Sequence, residues 1–229
     1  MIKPAKAIIF VKRSSLDFVI ENYSQTLSLN LPVDVVRDQE IINPQKLADL
    51  IKSFIESNKI TGLNVLMVVD RPLVFEKKLE NLAEDKKSEE IQKFLDIVPF
   101  ENVESKIIPI ETGIKIQVIN NNFFLLLTKI LEKNGVNTTT ILTSQELTGL
   151  IDINNQLNIA FATQVFKQFD SFNQQSFSLT STYLPYMDNH MAEKQNSEKN
   201  VKLKRSYLPY LSVILIILFA VLIFMLLRK

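Results

Sequence analysis

VLMVV, Val65–Val69, is apolar without interruption and ends at Asp70. As a strand it is apolar on both faces, so it must lie inside a sheet covered on both sides. It is therefore expected to be a central strand, and its neighbours in sequence should supply the rest of the sheet and its covering helices. On the N-terminal side, Asn43-Pro44 opens a helix, because Asn caps free N–H groups and Pro at the first helical position forfeits no helical bond. Leu47, Leu50, Ile51, Phe54 and Ile55 follow on one stripe that needs a sheet beneath it, and Asn58–Gly62 should end the helix. Earlier still, Ala7–Val11 reads as a buried strand, Leu16–Ile20 as its hairpin partner, and Leu27–Leu31 as a third, edge-like strand ending at Pro32.

Beyond Val69, Pro72 permits only an edge or broken continuation through Leu73–Phe75, and Glu76–Lys87 is dense in charge and reads as solvated. Ser88 is placed as the cap of a short helix through Phe94 that stops near Pro99. Lys106–Ile110 and Ile114–Ile119 flank Glu111-Thr112-Gly113 and predict a hairpin. Phe123–Lys133 carries a helical stripe with Asn134-Gly135 as a left-handed stop. Thr138–Thr143 is β-branched and predicts a strand, with Ser144 capping a short helix towards Leu150. Leu157, Ala160, Phe161, Val165 and Phe169 fit an amphipathic helix better than the strand that LNIAFA also allows. Strands alternating with helices, plus a hairpin, give a mixed α/β domain over residues 1–183.

The rest of the chain is of another kind. Residues 184–206 form a polar, basic tether, and Leu211–Leu227 (LSVILIILFAVLIFMLL) holds no charge. A helix rises ~1.5 Å per residue and the hydrocarbon core is ~30 Å thick, so about 20 residues cross it, a length reached by adding Tyr207–Tyr210. Residues 207–229 are therefore expected to be a single transmembrane helix. Tyr207 and Tyr210 are placed at the headgroups and Leu211, Ile216, Phe219, Phe224 and Leu227 in lipid. Lys199, Lys202, Lys204 and Arg205 precede the span whereas Arg228 and Lys229 follow it, which orients the N-terminal domain to the cytoplasm. Met1–Val11 lacks a signal-peptide pattern, and little chain is left for the far side.

Composition excludes several classes. A net charge of +1 over 229 residues, with no basic cluster interleaved with aromatics, argues against nucleic acid. The absence of Cys removes disulfides, thiolate metal sites and a Cys nucleophile, and a single His, His190, rules out a multi-histidine metal cluster. Asp70-Arg71, at the end of the central strand, is the best-placed ionisable pair, yet reads more simply as a solvated ion pair. Glu101, Glu104 and Glu111 lack a metal-ligand spacing, and Ser14-Ser15 and Ser176 have no local base. No catalytic, cofactor or metal residue is therefore assigned. Phe172, Phe177 and Leu179, between domain and tether, are the candidate partner-binding residues, intramolecular docking being the alternative for the two phenylalanines.

FLDIVPFENVESKIIPI, then GIKIQVINNNFFLLLTKILEKNGVN, then TTILTSQEL, within Phe94–Leu150, resembles the actin-like cytoplasmic assembly protein of type IV pilus systems and the cytoplasmic L-type domain of type II secretion. VLMVVDRPLVF resembles that family's strand leading into a new subdomain, and AFATQVFKQFDSFNQQSFSLT its closing helix followed by a segment like the one that opens its membrane-anchored partner. The resemblance implies one actin-like, ribonuclease H-like module, reduced and fused to a C-terminal anchor. It further implies a scaffold at the bacterial inner membrane, with lipid and inner-membrane assembly or secretion proteins as partners. An actin-like ATPase needs a glycine turn and an acidic metal ligand after its first strand, but AIIFVKRSSLDFVI has no Gly, and Asp17 falls in the second strand. No phosphate-cradling glycine motif occurs elsewhere. The implied protein is thus non-enzymatic and without cofactor. The alternatives are an ATP binder with a degenerate loop and an unrelated membrane-tethered structural protein.

Overall fold

The computed structural model describes residues 4–60, 62–81, 83–150 and 157–179, all within one unit, Met1–Thr180. The tether and the expected span, with the 183/184 boundary and His190, lie outside the described residues. Among the described residues no helix is long and apolar enough to cross a membrane.

Ala5–Val11 (β1), Ser15–Ile20 (β2) and Leu27–Asn30 (β3) form an antiparallel meander. A two-residue hairpin pair, Val36–Arg37 (β4) and Glu40–Ile41 (β5), leads to helix Pro44–Ser57 (α1). The Asn43 side chain caps α1 by accepting from the Lys46 N–H at 2.9 Å, as the Asn-Pro pair requires. Leu63–Val69 (β6) then runs parallel to β1. After a 3-10 turn at Arg71–Leu73 come Phe75–Glu80 (β7), Glu84–Asp96 (α2), Val103–Ile110 (β8) and Gly113–Asn120 (β9). Asn121–Lys133 (α3), Val136–Thr143 (β10) and Ile159–Lys167 (α4) close the module.

The main sheet has the order β10-β6-β1-β2-β3, with β10 and β1 both parallel to β6. VLMVV is fully buried in it. Leu66 and Val68 join Ile8, Phe10 and Leu142 beneath Ala162, Val165 and Phe166 of α4. On the other face α1 lies beside α3 and sets Phe54 against Phe18 of β2 at 5.0 Å. Between β6 and β10 the chain inserts a second sheet, β7-β9-β8, whose Leu79, Ile116 and Val118 pack with Phe94 and Val98 at the end of α2.

Three local expectations need correction. The charged run after Phe75 is a strand, because FEKKLE alternates: Phe75 and Leu79 point to the small core while Glu76, Lys78 and Glu80 face the other way. Helix α2 begins at Glu84 rather than Ser88, with no side-chain cap at Ala83. No helix follows Ser144. Successive turns carry the chain from Thr143 to Leu150, and Glu146 turns back to accept the Thr143 N–H at 2.9 Å. The helix reading of LNIAFA matches α4, and the expected left-handed stop after α3 is Gly135, with φ of 78°.

Candidate functional site

In the main sheet β6 and β10 lie on one side of β1, β2 and β3 on the other, so the carboxyl end of β1 is the point where chain direction across the sheet reverses. Crevices at such points are the usual ligand sites of open α/β sheets. The turn after β1 is Lys12-Arg13-Ser14, closed by the Lys12 N–H donating to the Ser15 carbonyl at 2.9 Å. The Asp70 N–H donates to Val11 O at 3.0 Å and the Ser144 N–H to Val69 O at 2.9 Å, so the ends of β1, β6 and β10 are stapled together. Asp17 is buried, paired with Lys12 at 2.8 Å and accepting from the Ser28 hydroxyl at 2.6 Å. Asp70 is only partly buried. Desolvation raises its carboxyl above the ordinary aspartate range, opposed by the Arg71 N–H and by the fields of Lys12 and Arg13.

This turn does not fit a nucleotide phosphate. It has no glycine, one of its N–H groups is spent on Ser15, and the nearest acidic side chain on β2 is consumed by Lys12 and Ser28. Beside it lies a cleft of about 330 Å³, walled by Pro72, Phe75, Pro99 and Phe100, with Arg13, Asp38 and Glu40 at its polar rim. Phe75 and Phe100 meet edge to face at 5.6 Å. The β4–β5 turn that completes the cleft holds Asp38 and Gln39 at φ of 49° and 64°, fixed by the Asn120 amide donating to Gln39 O at 2.9 Å. Such a surface suits an apolar or proline-containing peptide better than an anion.

A second polar constellation joins the inserted sheet to the end of β10. Gln117, 0% exposed, aims its amide N–H groups at Glu76 (3.2 Å), Gln145 (3.3 Å) and Thr143 (3.4 Å). Lys115 donates to Gln145 at 3.2 Å and lies 3.6 Å from Glu76, while Lys106 pairs with Glu146. The Gln117 carbonyl oxygen is buried without a hydrogen-bond partner among the described residues. Nothing in IKIQVI marks this glutamine, because its partners lie up to 41 residues away.

Of the candidate partner-binding residues, Phe177 is 4% exposed and lies along the edge of β10. Its N–H donates to Ile141 O at 2.9 Å, the Ile141 N–H donates to the Ser176 hydroxyl at 2.9 Å, and the Lys106 ammonium stands 5.7 Å from its ring centre. Phe172 packs partly buried against the α4 core, and Leu179 is partly buried. Phe177 is thus spent on this chain's own sheet. Asp70 and Arg71 sit at the crevice, whereas Glu101 and Glu111 fall beyond opposite ends of β8. The residues assigned to the membrane (Tyr207, Tyr210, Leu211, Ile216, Phe219, Phe224, Leu227) and to topology (Lys199, Lys202, Lys204, Arg205) lie outside the described residues.

An antiparallel three-strand meander continued by two parallel strands, helices on both faces and a small sheet inserted before the last strand give an α/β module with a ribonuclease H-like strand order. No protein-family model matches the chain, and no curated protein matches it in sequence. Among solved structures it is similar to one described as the PilM-PilN type IV pilus biogenesis complex, at 12% identity and a TM-score of 0.43, over 63% of this chain and 48% of that one. It is similar also to the cytoplasmic domain of EpsL, an inner membrane component of the type II secretion system of Vibrio cholerae. There the identity is 9% and the TM-score 0.44, over 65% of this chain and 59% of that one. A protein of Bacteroides thetaiotaomicron with an actin-like ATPase fold and unknown function gives 12% identity and a TM-score of 0.36, over 62% and 53%. The chain spans roughly half the length of these structures.

Proposed function

We propose that this chain is a non-enzymatic, membrane-anchored adaptor that recruits components of a pilus- or secretion-type assembly at the bacterial inner membrane. The observation that carries the reading is the uncharged run Leu211–Leu227, preceded by Lys199, Lys202, Lys204 and Arg205 and joined to a ribonuclease H-like module. The non-enzymatic part is supported by the stapled strand ends, where the backbone and acidic groups that would serve a metal-bound phosphate are committed to one another. The mechanism is co-localisation: confinement to two dimensions raises the effective concentration of weakly binding partners. The resemblance of Phe94–Leu150 and the names of the neighbours indicate the systems to test first, type IV pilus biogenesis and type II secretion.

Deleting Leu211–Lys229 in the host should leave a folded domain, as judged by an unchanged cooperative unfolding transition, and abolish surface assembly or secretion. Normal assembly with the truncated chain overturns the adaptor reading. Calorimetric titration of the full chain with Mg-ATP should give no saturable heat. Saturation at micromolar nucleotide would instead assign the crevice to ATP.

A further inference from the structure

Helix α3 ends on a residue pair that its geometry favours and that peptide chemistry makes labile. Asn134 stands at the C-cap, and Gly135 follows in the left-handed region with φ of 78°, where a residue without Cβ is preferred. Asn-Gly occurs nowhere else in the chain. In such a pair the glycine nitrogen can attack the asparagine side-chain amide carbon, because no Cβ shields it. A bond forms between Gly135 N and Asn134 Cγ, the Cγ–Nδ2 bond breaks, and Nδ2 leaves as ammonia with the proton that the glycine nitrogen gives up. Water then opens the succinimide at either carbonyl, leaving aspartate or, with the backbone rerouted through Cβ, isoaspartate.

The fold opposes this reaction at both reacting groups. The Gly135 N–H, which carries the nucleophile, donates to Glu132 O at 3.0 Å, and the Asn134 N–H donates to Leu131 O at 2.9 Å. The leaving nitrogen, Asn134 Nδ2, donates to Ile130 O at 2.8 Å, which turns the amide back along the helix. Asn134 has ψ of 17°, so the Gly135 nitrogen nearly eclipses Asn134's own nitrogen and stands away from Cβ, where the ring must close. Ring closure therefore requires the last turn of α3 to open.

The product does not refit. Aspartate at this position has no N–H for Ile130 O and sets a carboxylate at the negative end of the α3 dipole. Isoaspartate lengthens the backbone just before β10, where the Leu63 N–H donates to Gly135 O at 3.1 Å and Val136 stands opposite Leu63 of β6.

We infer that Asn134 is a site of non-enzymatic deamidation closed by the C-cap of α3, through which a transient opening of that turn becomes a permanent weakening of the join between α3 and β10. The inference is independent of the membrane anchor and of what the module recruits.

The full chain, held in mild detergent at mildly alkaline pH, is sampled over time, digested and mapped by mass spectrometry for deamidation and isoaspartate. In urea Asn134 should be modified ahead of every other asparagine. In the folded chain its rate should fall by about tenfold or more, because the open fraction scales the rate and each ~1.4 kcal/mol of opening free energy is a factor of ten. Glu132→Gly, at an exposed position in the last turn of α3, should raise the folded-state rate severalfold by weakening the helix there, whereas Glu56→Gly, its counterpart in α1, should leave it unchanged. Thermal unfolding verifies that both variants fold. Another asparagine outrunning Asn134 in urea, a folded-state rate equal to that in urea, or a rate unmoved by Glu132→Gly in a folded variant overturns the inference.

Discussion

Partial burial at the end of β6 raises the Asp70 carboxyl above its ordinary range, so the fold favours the protonated form. A raised carboxyl contributes stability fully present below the unfolded pKa, about 4, and lost as pH rises through the folded value. Asp70→Asn, which stays neutral and keeps an acceptor for the Arg71 N–H, should therefore be more stable than the wild type at pH 7. Its advantage should vanish below about pH 4. Chemical denaturation at the two pH values checks this, and an advantage that grows in acid would contradict the sign. Asp70 was legible in the sequence because a strand end fixes where an ionisable residue stands. Gln117 was not, since a polar residue within IKIQVI acquires meaning only when the fold brings Thr143 and Gln145 to it.

Elements were most legible where one signal dominated. The Asn43-Pro44 start, the apolar run of β6 and the hairpin around Glu111–Gly113 each rest on local chemistry, and each is where the sequence puts it. The run after Phe75 was misjudged because its charges hide an alternation with two apolar positions, and the β4–β5 pair is too short to leave a pattern. The β8–β9 turn offers a sharp test. A Cβ at Gly113 would stand 2.0 Å from the Leu79 carbonyl oxygen, a backbone atom that cannot move aside without breaking the ladder. Gly113→Ala should cost about 2–4 kcal/mol in urea unfolding, in the range of severe single substitutions. At the edge of β10, Phe177→Ala should cost about 3 kcal/mol, as for other buried phenylalanines. A loss below ~0.5 kcal/mol would mean that the Ser176–Leu179 segment is not held by the sheet.

For the molecule as a whole, the strand order accounts for the alternation of hairpin, helix and strand that was readable between Phe94 and Leu150. That segment contains the end of α2, the β8–β9 hairpin of the inserted sheet, α3 and β10. The functional proposal belongs to the same scale, since it depends on where the module is held. Residues 207–229 supply the proposed hold, and their partitioning decides the matter. In an alkaline carbonate wash of membranes from cells expressing the full chain, the protein should remain with the bilayer, and a chain ending at Tyr210 should move to the supernatant as a folded domain. Recovery of the full chain in the supernatant would contradict the account.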